Sequence, residues 1–119
     1  MSRLLATVLL LASCAPAMQD TGHRPPLETP PSEEQEATRA HEELRRLDAE
    51  LRAADAQAVA PDCARIGQLR DNICALAARI CQIAERQPPG STTAERCTDG
   101  KARCKSAVES AQARGCPKK

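Results

Sequence analysis

The residues of this chain best able to do chemistry are its thiols: seven cysteines in 119 residues, beside two histidines and no Phe, Tyr or Trp. Thiolates can hold a metal, exchange electrons as a dithiol, or close into bridges, and their spacing separates the three. Cys63, Cys74, Cys81, Cys97, Cys104 and Cys116 stand in two arms of three around a turn at Pro88-Pro89-Gly90. No pair is C-x-x-C, which argues against a thioredoxin-like exchange site. Cys74 to Cys81 and Cys97 to Cys104 are each steps of seven residues. Along a helix that is about 10 Å, too far for two thiolates to share one ion. Folding the chain at the turn instead matches Cys81 with Cys97, Cys74 with Cys104 and Cys63 with Cys116, a ladder of three nested disulfides. Each such bridge contributes on the order of 3 kcal/mol by constraining the unfolded chain.

Other reactive groups are scarce. His41 begins the run His41-Glu42-Glu43-Leu44-Arg45, which starts like a zinc-protease helix but carries Arg45 where the second His is needed. It reads as a solvated helix residue, and His23 falls in a proline-rich stretch. Ser and Thr residues lie at caps or alone on polar faces, without a His to activate them. Glu42 and Glu43, adjacent in sequence, point about 100° apart on a helix and form no carboxylate pair. Gly90 and Gly100 are isolated, so no phosphate-cradling loop is present. The expectation is a protein without catalytic residues, metal or cofactor, and not an enzyme.

The N-terminus begins with one cation, Arg3, and continues in an apolar run over 4–12, the length of a signal peptide and too short to span a bilayer. The run ends in Leu11-Ala12-Ser13-Cys14, which resembles the lipobox of bacterial lipoproteins. The resemblance implies that 1–13 is a signal peptide and that Cys14 receives a diacylglyceryl thioether. Cleavage would fall before Cys14, and the new amine would take a further acyl chain such as palmitate. Giving Cys14 to lipid leaves an even six thiols to pair. Ala15 stands where an Asp marks inner-membrane retention in such lipoproteins, so the resemblance points to the outer membrane. A rival reading is a secreted protein cut after Ala15-Pro16-Ala17, with Cys14 discarded.

Once Arg3 leaves with the leader, sixteen basic residues remain against sixteen acidic. A net charge near zero argues against nucleic acid as the partner. The charge is nonetheless polarised: 32–60 carries four basic and eight acidic residues, and 94–119 seven basic and three acidic. Either the acidic and basic helices pack together or face solvent, or the basic end is a patch for an acidic envelope component.

These groups need elements to position them. Residues 14–31 contain Pro16, Pro25, Pro26, Pro30 and Pro31 and few apolar side chains, which makes an extended tether with a reach of about 50 Å. Ser32 and Gln35 form a capping box for a helix over about 32–58. Its Ala37, Ala40, Leu44, Leu47, Leu51, Ala54 and Ala58 fall at steps of three and four, a narrow seam that needs one partner, in this chain or in another copy. Pro61 and Asp62 start a second helix to about residue 86, with Pro61 in the first turn. Ile66, Leu69, Ile73, Leu76, Ile80 and Ile83 form its apolar stripe, and Cys63, Cys74 and Cys81 share a separate sector. Arg65, Gln68, Asp71, Asn72, Arg79, Gln82 and Arg86 occupy the solvent side. Thr92 and Glu95 suggest a capping box for a third helix, in which Gly100 is a weak point. The Cys116 rung requires that helix to unwind at Gly115.

The fold expected is all-α: a disulfide-laddered antiparallel hairpin over 61–116, with the helix over 32–58 packed along its Ile/Leu face, the folded domain covering 32–119. With no aromatic residues and an Ala-rich apolar fraction, bulk packing is limited and disulfides must compensate. The pairing between Cys74 and Cys104 is similar in architecture to the twin-cysteine helical hairpins of the mitochondrial intermembrane space, with a shorter spacing, and nothing of their function carries over. The functional expectation is a non-catalytic lipoprotein of the bacterial envelope, anchored by lipid. It would present a rigid helical module to a protein partner or to itself as a homo-oligomer. The alternative is a secreted disulfide-rich binding or inhibitor module.

Overall fold

The computed structural model describes residue 22 and the spans 29–57 and 60–117. Within them are three helices, α1 (Glu33–Asp55), α2 (Cys63–Ala84) and α3 (Thr92–Ala113). The signal segment 1–13, Cys14, most of the tether, and Ala58 at the end of the first seam lie outside the described residues.

Each helix starts where a side chain satisfies the open backbone donors of a first turn. At α1 the capping box is complete: Ser32 Oγ accepts from the Gln35 N–H at 3.3 Å, and Gln35 Oε1 accepts from the Ser32 N–H at 3.0 Å. Glu33, Glu34 and Glu36 add negative charge at the positive end of the dipole. At α2 the cap is Asp62, whose Oδ1 accepts from the Arg65 N–H at 3.1 Å; Pro61 therefore stands outside the helix and not in its first turn. At α3 the expected cap at Thr92 moves back one residue. Gly90, with φ of 77°, turns the chain so that Ser91 is extended, and Ser91 Oγ accepts from the Ala94 N–H at 3.1 Å. Thr92 and Glu95 lie inside the helix.

The ends differ as well. α1 stops at Asp55, a turn short of 58, and α2 at Ala84, where two i to i+3 bonds, Arg86 to Ile83 and Gln87 to Ala84, lead into the turn. The end of α3 is a Schellman motif: Gly115 takes φ of 75°, its N–H donates to the Gln112 carbonyl at 3.0 Å, and the Cys116 N–H donates to Ala111 at 2.8 Å. This is the unwinding the outer rung requires.

The helices run up, down and up. Leu44, Leu47 and Leu51 of α1 meet Ile66, Leu69, Ile73, Ala77 and Ile80 of α2, and α3 closes the cluster with Ala107, Ala111 and, beyond its end, Cys116. Leu76 is only half-buried at the rim, while Ala77 takes the buried position beside it. The α1 seam is thus covered inside one chain, with Leu44 fully buried. Full burial of each Leu or Ile stabilises by roughly 1.5 to 3 kcal/mol, so α1 and α2 supply nearly all the apolar bulk.

Candidate functional site: the cystine ladder and the polar seam

The ladder dominates the chemistry of the described residues. Disulfides join Cys63 to Cys116, Cys74 to Cys104 and Cys81 to Cys97, with Cα atoms 5.1, 4.7 and 4.7 Å apart. Such separations lie within the usual range for a disulfide and leave little room for side-chain bulk between the two backbones. Gly100 explains how α3 comes so near. Midway between Cys97 and Cys104, it is buried, and a Cβ there would stand 3.2 Å from Ala77 Cβ, 3.3 Å from Ala77 Cα and 3.5 Å from Leu44 Cδ1. The sequence marks Gly100 as a weakness of the helix, yet in the fold it is the contact that lets the inner rungs close.

A second chemically organised region lies between α1 and α3. His41 Nε2 is 2.8 Å from Asp99 Oδ2, which also accepts from Arg103 Nε at 2.8 Å. Arg103 reaches on to the buried Asp48 at 2.5 Å, and Arg52 pairs with the same Asp48 oxygen at 3.0 Å. His41 is therefore a half-buried member of an interhelical network and not a solvated residue. The Arg103 guanidinium, opposed by partial burial and aided by His41, holds the Asp99 carboxyl below the usual aspartate range. Further along, Ser110 Oγ donates to Asp55, and Arg114 donates to the Ala54 and Gln57 carbonyls at 3.4 and 3.2 Å. A cation at the C-cap of α3 thus covers the negative end of α1, which has no glycine cap of its own.

The polarised charge is spent largely within the molecule. Glu33 of α1 pairs with Arg86 in the turn after α2 at 2.7 Å, Glu36 and Glu50 pair with Arg79 and Arg65 of α2 at 2.6 and 2.9 Å, and Arg96 donates to Thr38 at 2.9 Å. The acidic helix faces the basic residues of both others, so Lys101 and Lys105 are what the described part of α3 turns outward; Lys118 and Lys119 lie outside the described residues. Exposed pairs of this kind contribute at most about 1 kcal/mol each, and their role is to set which helix lies where.

Arg70 is absent from the solvent side of α2. It is 5% exposed, with Nε 2.9 Å from Asp71 Oδ1 and Nη1 donating to the Cys116 carbonyl at 3.3 Å. The signal was present in the spacing, because Arg70 stands seven residues after Cys63 and four before Cys74, on the sulfur face. Among the described residues, no group of three or more His, Cys, Asp or Glu side chains is placed to hold a metal ion, and no helix is long and apolar enough to cross a membrane. Compared with known proteins, the chain matches no family model, no curated sequence and no solved structure.

Proposed function

We propose that the chain is a lipid-anchored, non-catalytic lipoprotein of the bacterial envelope, exported through its signal segment, fixed to the outer membrane by acylated Cys14, and carrying a rigid three-helix module for a protein partner. The supporting observation is the partition of the thiols. Six of the seven cysteines are consumed in the ladder, so Cys14, seated in the lipobox-like Leu11-Ala12-Ser13-Cys14, is the one left for another chemistry. Disulfides persist in oxidising compartments such as the periplasm, in accord with export. Three acyl chains would hold the protein far more firmly than the marginal binding of one.

The partner is read from what the fold has already used. The α1 seam that could zip two copies together is buried against α2 and α3, which favours a different protein over self-association through that helix. A near-neutral mature chain favours protein over nucleic acid. The test is expression in a bacterium fed a clickable palmitate analogue, with membrane fractionation and peptide mapping of the mature N-terminus. Wild type is expected to carry label at Cys14 and to sediment with membranes, and Cys14→Ser to lose both. Unlabelled protein beginning at Met18 would instead support the secreted module.

A further inference from the structure

We infer that the outermost bridge, Cys63 to Cys116, is a thiol-exchange site, opened by a low-molecular-weight thiol while the inner two bridges and the helical core stay closed. This goes beyond the anchored-module reading and does not depend on the lipid.

The three rungs are chemically unequal. Cys63 is exposed, whereas Cys74, Cys81, Cys97 and Cys104 are half-buried. The inner four also lie within helices that α1 and the core continue to hold together, so reduced sulfurs there would stay face to face and close again. Cys116, by contrast, lies past the end of α3, on the residue following Gly115. Once its bridge is cut, it is retained by one backbone bond to Ala111, the Arg70 contact and its own burial.

Position also helps the displacement. Cys63 is the first residue of α2, where the positive end of the helix dipole attracts an anionic thiol and favours the Cys63 thiolate released in the second displacement, opposed in part by the neighbouring Asp62 carboxylate that caps the Arg65 N–H. Cys116 has the Arg70 guanidinium against its own carbonyl. An open cleft of about 490 Å³ lies over the bridge, lined by Cys63, Gly67, Arg70, Gly115 and Cys116 among others, with room for a small anionic nucleophile.

The exchange runs in two displacements. A thiolate RS⁻ attacks Cys63 Sγ; the new RS–Sγ bond forms as the Cys63–Cys116 bond breaks, and the electron pair leaves on Cys116, which takes a proton from water. A second thiolate attacks the RS sulfur of the mixed disulfide and releases Cys63 as the thiolate that the helix terminus favours. Two thiols are oxidised to RSSR and one cystine is reduced to two thiols.

The test uses the full mature chain incubated with graded ratios of reduced to oxidised glutathione, quenched in acid, alkylated and mapped by mass spectrometry. Glutathione is expected on Cys63, with Cys116 alkylated, at ratios that leave the inner bridges intact. Opening of the outer rung should be at least about tenfold faster than that of the inner two, because the attacked sulfur belongs to an exposed residue and theirs to half-buried ones. Far-UV circular dichroism should keep its helical signal at that point. The inference is overturned if an inner rung opens first or at the same rate, if glutathione sits on Cys116, or if helix is lost as the outer rung opens.

Discussion

α2 is bridged twice to α3 and once to Cys116 just past its end, and what lies between the two helices is small: Gly100 against Ala77, with Ala107 and Ala111 beyond. α1 has no bridge, and what lies beneath it is large: Leu44, Leu47 and Leu51 against the Ile and Leu stripe of α2. A cross-link removes much of the entropy cost of bringing two segments together, so an interface that carries several can do with little apolar area. A helix without one must bury bulk and be steered by charge. In a chain without aromatic residues both solutions stand side by side, and each can be perturbed separately.

The largest effect is expected where bulk alone holds the contact. Leu44→Ala should lower stability by about 3 kcal/mol, within the range for a fully buried leucine. Hydrogen exchange should accelerate through α1 first while the bridged hairpin keeps its protection. Uniform acceleration across all three helices would mean that the two interfaces form one cooperative unit.

A smaller effect should come from the covalent side. Alanine is a better helix former than glycine by about 1 kcal/mol, so an exposed Gly100→Ala would stabilise. Here the new Cβ meets the Ala77 backbone at 3.3 Å, and bridges on either side prevent the helices from parting. Overpacking of this kind costs about 1 to 3 kcal/mol. A net loss of about 1 kcal/mol is expected, read as a lower midpoint in chemical denaturation, and a rise would show that the ladder has slack.

The smallest effect concerns charge steering. Because the folded Asp99 carboxyl titrates below its unfolded value, its contribution is fully present above the ordinary aspartate pKa of about 3.9 and is lost as pH falls through the folded value. Acid denaturation of wild type should therefore steepen below about pH 4. Asp99→Asn should flatten that part of the profile, and an unchanged profile would place the acid sensitivity elsewhere. Much of Asp99 is open to solvent, which keeps the effect modest.

How far these features can be read in advance follows from their physics. The register of the ladder is legible because bridge formation imposes hard distance limits, and two equal seven-residue steps satisfy them on helices. The apolar seams are legible because a helix period repeats many times along them. The cap of α3 shifts by a residue, from Thr92 to Ser91, because neighbouring hydroxyls compete to cap one turn and only the path from Gly90 decides, and α2 starts after Pro61 because Asp62 takes its cap. Gly100 and His41 are of another kind. Each looks unfavourable or ordinary on its own helix, and its purpose appears only when Ala77 or Asp99 arrives from a distant part of the chain; for Arg70 the spacing marks the sulfur face, and only its acceptor, the Cys116 carbonyl, is hidden.

The absence of any cystine on α1 also has a mechanical side. Tension applied from the N-terminal direction and resisted at the hairpin must pass through α1 before it reaches a covalent bond. The 23 residues of α1 occupy about 35 Å as helix and could extend to about 80 Å as a stretched strand. Peeled from its groove and drawn out, α1 itself would gain about 45 Å while the ladder keeps its shape. The same unbridged helix that makes the fold easier to open lets it yield to force without a chemical bond being broken.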